Sequence, residues 1–176
     1  MKNLMILACV LVLAPAASGM LIFSTPDDLG GNTVMENTSI TIEVTGDVAT
    51  TSFDLNVDMG GVYSTLAVGT YNAGFSSGSV GAVVVNPVEI QGVAGDIGGG
   101  STIAAGLVLY DFTLTTGSAN NTITIDSFAG MSGGPPLYTT HNGGDVVAST
   151  LTLNIVPEPA TIVLLGLGGL LLRRRR

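Results

Sequence analysis

Apolar residues recur at every second position through the middle of this chain, and that spacing restricts it to half-buried β-strands. Ile40, Ile42 and Val44 alternate with Ser39, Thr41 and Glu43, and Phe53, Leu55, Val57 and Met59 alternate with Asp54, Asn56 and Asp58. Val108, Tyr110, Phe112 and Leu114 follow the same rule. So do Ile123 and Ile125, and Leu151, Leu153 and Ile155 against Thr150, Thr152 and Asn154. Successive side chains on a strand point to opposite faces, so each segment offers one face to a core and one to water. Leu107 and Leu109 add apolar residues to the opposite face, which predicts a strand start buried on both sides. Residues 63–68 and 80–85 predict two further strands, and no window of useful length shows helical spacing.

Glycine clusters punctuate these runs: Gly30-Gly31, Gly60-Gly61, Gly98-Gly99-Gly100, Gly133-Gly134-Pro135-Pro136 and Asn142-Gly143-Gly144-Asp145. They read as turns. About seven to nine short strands without crossover helices predict an all-β fold, an antiparallel, jelly-roll-like β-sandwich of two sheets. It occupies residues 20–155 as a single domain. An N-terminal signal helix and a short C-terminal transmembrane helix are expected to flank it.

Charge is segregated along the chain. Of 5 basic residues, Lys2 stands at the start and Arg173, Arg174, Arg175 and Arg176 at the end; the 13 acidic residues lie between, giving a formal charge of −8. A body without fixed positive charge is no partner for nucleic acid.

The first residues have the three parts of a secretory signal: Lys2, an apolar stretch over residues 4–13, and the small residues Ala14-Pro15-Ala16-Ala17-Ser18-Gly19. The apolar stretch is too short for a membrane span, which takes about 20 residues. A signal peptide over residues 1–19, cut near Gly19 by signal peptidase, is the expectation. The only cysteine, Cys9, falls inside it and is followed by further apolar residues rather than by a cleavage site. The exported body then has neither disulfide nor thiol and must be held by its core.

At the other end, Pro157 and Pro159 bracket Glu158 and hold it extended, because proline fixes its own φ and restrains its predecessor. An apolar run over residues 162–172 then stops at the four arginines. It is short for a span, though snorkelling arginines and local thinning would help it across. The arginines would stay on the cytoplasmic side and leave the body outside.

With its Pro-Glu-Pro triplet, glycine-bearing apolar run and terminal arginines, the segment 156–176 resembles the PEP-CTERM sorting signal of Gram-negative bacteria. That resemblance implies recognition of Pro157, Glu158 and Pro159 by an exosortase-type membrane enzyme. It also implies a stop and orientation role for Arg173, Arg174, Arg175 and Arg176. A precursor held transiently in the inner membrane would be cleaved near the triplet and passed to the envelope or the outside, in cells that make exopolysaccharide and biofilm. The body is similar to cohesin-like and carbohydrate-binding jelly rolls in its segments 52–58, 106–114 and 121–125 and its closing strand. Cohesins bind dockerin modules; no binding residue is carried over.

No catalytic or metal-ligand constellation stands out. His141, the one histidine, lies in a polar loop near Asp145 and is expected to be solvated. Asp27, Asp28, Asp54, Asp58, Asp96, Asp111, Asp126 and Asp145 supply oxygens of the kind calcium takes, but the alternate spacing of a calcium loop is absent. Asp54, Asn56 and Asp58 should instead form a solvated row on one strand. No cofactor is expected. With no tryptophan and 5% aromatics, the chain has little on which to stack sugar rings, and Tyr63, Tyr71, Tyr110 and Tyr138 are the only tyrosines. Tyr110 should be core; Tyr63 and Tyr71 should lie near a sandwich end. The leading expectation is an exported, non-enzymatic envelope or matrix protein. The alternatives are a cohesin-like or glycan-binding adhesion module and, behind it, a glycoside hydrolase.

Overall fold

A computed structural model describes residues 19–85, 88–99, 101–127, 140–146, 148–158 and 163–164. The signal segment 1–18, the Gly-Pro run at 133–136, Tyr138, Pro159 and the arginine cluster lie outside the described residues. So does all but Val163 and Leu164 of the apolar run. Among the described residues no helix is long and apolar enough to cross a membrane.

Twelve strands are described: β1 (Leu21–Ser24), β2 (Thr33–Met35), β3 (Ser39–Gly46), β4 (Ser52–Gly61), β5 (Tyr63–Tyr71), β6 (Ser77–Val85), β7 (Val88–Asp96), β8 (Val108–Thr116), β9 (Thr122–Ser127), β10 (Thr140–His141), β11 (Gly144–Asp145) and β12 (Leu151–Val156). One sheet runs β1-β3-β8-β5. In the other, β4 pairs along one edge with β7, which carries β6, and along its opposite edge with β10 and then β9. From β9 that sheet continues through β12 to β2. Two packed sheets of this kind are the all-β sandwich that the alternation predicts. One pair departs from the antiparallel expectation: β12 runs parallel to β2, with Ile155 opposite Val34.

The predicted inward faces form the core. Ile40, Ile42 and Val44 of β3 and Tyr110, Phe112 and Leu114 of β8 are buried, as are Phe53, Leu55, Val57 and Met59 of β4. Ile123 and Ile125 of β9 and Leu151, Leu153 and Ile155 of β12 complete it. Where β4 crosses from the larger sheet to the smaller, Gly61 has φ 98°, and a Cβ there would lie 2.1 Å from the Thr122 carbonyl oxygen. Only glycine lets the strand turn the corner at that separation.

The start of β8 corrects one expectation. Leu107 is 53% exposed in the turn before the strand, whereas Leu109 and Tyr110 are both fully buried. The register explains this, because Val44 pairs with Tyr110 and Thr45 with Val108, leaving Leu109 as the extra residue of a β-bulge. The buried Tyr110 hydroxyl donates to the Val80 carbonyl of β6 across the two sheets, at 3.0 Å. Burial above all, with the nearby Asp111 charge adding to it and a hydrogen bond from the Gly69 N–H opposing it, pushes the phenol up to about 12.

The outer faces bring like charges together. Asp58 of β4 stands opposite Glu89 of β7 on one side and Asp126 of β9 on the other, and Glu43 of β3 stands opposite Asp111 of β8. Directly opposed like charges destabilise a sheet, and no lysine or arginine between residues 3 and 172 offsets them.

Two outcomes follow for purified protein. Phe112→Ala should cost about 3–5 kcal/mol in denaturant unfolding, while Thr113→Ala, one residue on and exposed, should change stability by less than about 0.5 kcal/mol. Asp58→Asn should stabilise by about 0.2–1 kcal/mol at low ionic strength. That gain should shrink as salt is raised, because screening already relieves the wild type.

Candidate functional site

Sequence points most strongly to the stretch where the sandwich ends. Val156 is the last residue of β12: it pairs with Met35, and its carbonyl accepts from the Glu36 N–H at 2.9 Å. Pro157 is half-buried and Glu158 exposed. The carboxylate that the prolines bracket therefore enters solvent two residues beyond the last paired position. β12 itself lies between β9 and β2, so the exit point is fixed from both sides. Proline at 157 has no N–H to extend the ladder, which gives a reason for pairing to stop where it does.

Six of the carboxylates singled out as possible cation ligands are engaged in holding turns and edges. Asp28 accepts from the backbone N–H groups of Gly30 at 2.9 Å, Asn32 at 3.2 Å and Thr33 at 2.7 Å. These bonds, Thr33's foremost, hold its carboxyl below the usual range. Asp27 accepts from the Thr41 N–H, Asp96 from Gly98, and Asp111 from Thr70. Asp54 accepts from the Thr140 hydroxyl and Asp126 from that of Thr150. Among the described residues no group of three or more His, Cys, Asp or Glu side chains is arranged to hold a metal ion.

Asp54, Asn56 and Asp58 were expected as a solvated row. Asp54 and Asp58 are exposed, but Asn56 is buried. Here β7 bulges: Leu55 pairs with Val93 and Val57 with Ile90, so two residues of β7 face Asn56 alone. The Asn56 Oδ1 accepts from the Gly92 N–H at 2.9 Å, holding the bulge, with Gly92 at φ 75°. Beside it Gln91 and Glu89 are buried and hydrogen-bonded to each other through Gln91 Nε2 and Glu89 Oε2.

His141 corrects the sequence reading. It is fully buried in β10 rather than solvated in a loop. Its Nδ1 meets the Gly19 carbonyl at 2.8 Å and its Nε2 the Thr50 hydroxyl at 2.7 Å. A carbonyl can only accept, so Nδ1 carries the proton. The neighbouring Asn142-Gly143 pair, at φ 53° and 77°, makes a two-residue hairpin that returns the chain as β11. The backbone of Asp145 pairs there with Thr140. The Asn-Gly signal was visible in sequence; a third strand contact that buries the histidine was not.

Tyr63 and Tyr71, expected near a sandwich end, are the first and last residues of β5, about 26 Å apart along the strand and each partly buried against the core. Burial, with the Asp58 charge adding to it, raises the Tyr63 phenol. Two rings so far apart cannot clamp one sugar unit. The outward positions of the smaller sheet are rich in threonine: Thr41 pairs with Thr113, which pairs with Ala67, and Thr115 pairs with Thr65, their hydroxyls 2.7 Å apart.

Comparison with solved structures shows a cohesin-like sandwich. The fold is similar to a cohesin module from a family 33 glycoside hydrolase of Clostridium perfringens, at 13% identity and TM-score 0.50, covering 80% of this chain and 98% of that one. It is similar as well to a type III cohesin from a cell-surface anchoring scaffoldin of Ruminococcus flavefaciens, at 10% identity and TM-score 0.51, covering 79% and 88%. A third likeness is to a type I cohesin–dockerin complex from Clostridium thermocellum, at 14% identity and TM-score 0.50, covering 83% and 99%. No curated protein matches the sequence. The end of the chain does match a known model: residues 156–176 carry the PEP-CTERM protein-sorting motif.

Proposed function

We propose that this chain is an exported, non-enzymatic protein of the cell envelope or extracellular matrix, delivered by an exosortase-type enzyme that reads its C-terminal motif. The observation that carries this reading is the match over residues 156–176, which begins on the last residue of the last strand. A cut near the triplet removes nothing that the sheets need. Signal peptidase releases the front end, and the inner membrane holds the precursor for a time through the apolar run. In this scheme Pro157, Glu158 and Pro159 are the recognition residues. Arg173, Arg174, Arg175 and Arg176 stop transfer and keep the tail's tip in the cytoplasm of a Gram-negative cell. The catalytic groups belong to the sorting enzyme. The anionic, threonine-bearing body would then reside among exopolysaccharide.

A second reading gives the body a partner of its own. The cohesin-like fold supports a module that holds another protein by surface contact, and one similar structure is a complex with a dockerin. A glycan-directed surface is weaker, because aromatic residues are few and those among the described residues are buried or partly buried against the core. Hydrolysis has the least support.

Intact-mass spectrometry of the protein recovered from its native envelope should show a chain ending near the triplet, without Arg173–Arg176; an intact tail contradicts sorting. Glu158→Ala in the full-length precursor should leave most of the protein uncut in the membrane fraction. For the second reading, the native protein should retain dockerin-bearing proteins in a pull-down. A blank there and on a glycan array removes the binding module, and turnover on a glycoside panel would reinstate the hydrolase.

A further inference from the structure

Among the bonds in the leader that satisfy the small-residue rule for signal peptidase, two border the described body. Ala16-Ala17-Ser18 places small residues before Gly19, and Ala17-Ser18-Gly19 places them before Met20. The folded body distinguishes the two products. Gly19 is buried, and its carbonyl accepts the hydrogen bond from His141 Nδ1 at 2.8 Å. A cut after Gly19 would take that acceptor away and leave an imidazole N–H buried without it.

The surroundings are shaped to residue 19 itself. A Cβ there would lie 2.3 Å from both Asp47 Oδ1 and Val48 Cγ2, so the pocket accepts glycine alone. Gly46 is close to the same ring: a Cβ there would stand 3.0 Å from Cε1 and Nε2. Thus two glycines crowd the imidazole, and one of them is residue 19. The next residue continues the ladder: Met20 N–H donates to Asp47 Oδ1 at 2.6 Å, and its carbonyl accepts from the Asp47 N–H at 3.1 Å.

Charge adds an independent argument. Once leader and tail are gone, the body has no lysine or arginine, and its one fixed cation is the new α-ammonium. At Gly19 that group arises on the Cα whose added Cβ would come within 2.3 Å of Asp47 Oδ1.

We propose that the exported chain begins at Gly19, which stays in the body as a built-in end-piece: its carbonyl caps buried His141 and its ammonium faces Asp47. This rests on the reading of the leader as a signal peptide. Cleavage comes before folding, so the pocket does not choose the bond. A pocket fitted to Gly19 is of use only to a chain that keeps it.

N-terminal sequencing of the native exported protein should return Gly19 first. A start at Met20, or at Ser18 or earlier within the small-residue stretch, overturns the proposal while leaving the signal reading intact. A chain still beginning at Met1 overturns the signal reading itself. As a second measurement, Gly19→Ala in the full-length precursor keeps both cleavage bonds acceptable but forces a Cβ into the pocket. The exported variant should melt several degrees lower than wild type. An unchanged melting temperature would show that residue 19 is not seated in the fold, and would equally overturn the proposal.

Discussion

Every other feature of this protein depends on pressing two apolar sheet faces together. No disulfide within the chain can contribute, because Cys9 is its one cysteine, and no lysine or arginine between residues 3 and 172 can form an ion pair. What remains is burial of Ile, Leu, Val and Phe side chains from β3 and β8 against those of β4, β9 and β12. At about 25 cal/mol per Å² of apolar surface removed from water, that is the dominant favourable contribution. The buried polar side chains do not weaken it, since Thr50 and His141 bond to each other and the Thr116 hydroxyl donates to the Met35 carbonyl at 2.6 Å.

Much of this could be read in the sequence because period-2 alternation reports directly on a sheet with one dry face. β3, β4, β8, β9 and β12 were all visible that way, and their inward residues are the buried ones. Short strands were not visible: β1 and β2, of four and three residues, are too brief for alternation to register. β7 escaped because a bulge breaks its pattern; its sequence VEIQGVAGD carries Glu89 and Gln91 where a water-facing row would be expected, yet both are buried. Leu107 was misplaced because it falls in the turn before β8, and Asn56 because the bulge of the neighbouring β7 closes over it. His141 was misread because its burial depends on Thr50 and Gly19, both remote in sequence. Local polarity gave no sign of either. For the sorting tail the position is reversed: three residues and a charge run identify it, and the fold adds only where it begins.

The surplus of carboxylates has a structural use beyond solubility. Most accept backbone or hydroxyl hydrogens at turns, and Asp28 alone accepts three backbone N–H groups in the loop that leads into β2. Such bonds favour the ionised form, so the single sign of the surface and the order of the loops support one another. The cost is repulsion along the outer faces, which the medium rather than the chain must screen.

The placement of β12 has a mechanical consequence. It leaves the sandwich from between β9, which runs against it, and β2, which runs alongside it. A pull on the C-terminal end therefore loads the hydrogen bonds on both flanks lengthwise and together, instead of peeling an edge strand open one bond at a time. Resistance to such a pull is set by the rate of forced unfolding rather than by equilibrium stability. A body tethered by this end, whether to a membrane or to a polymer, is gripped where its strands are best placed to bear tension.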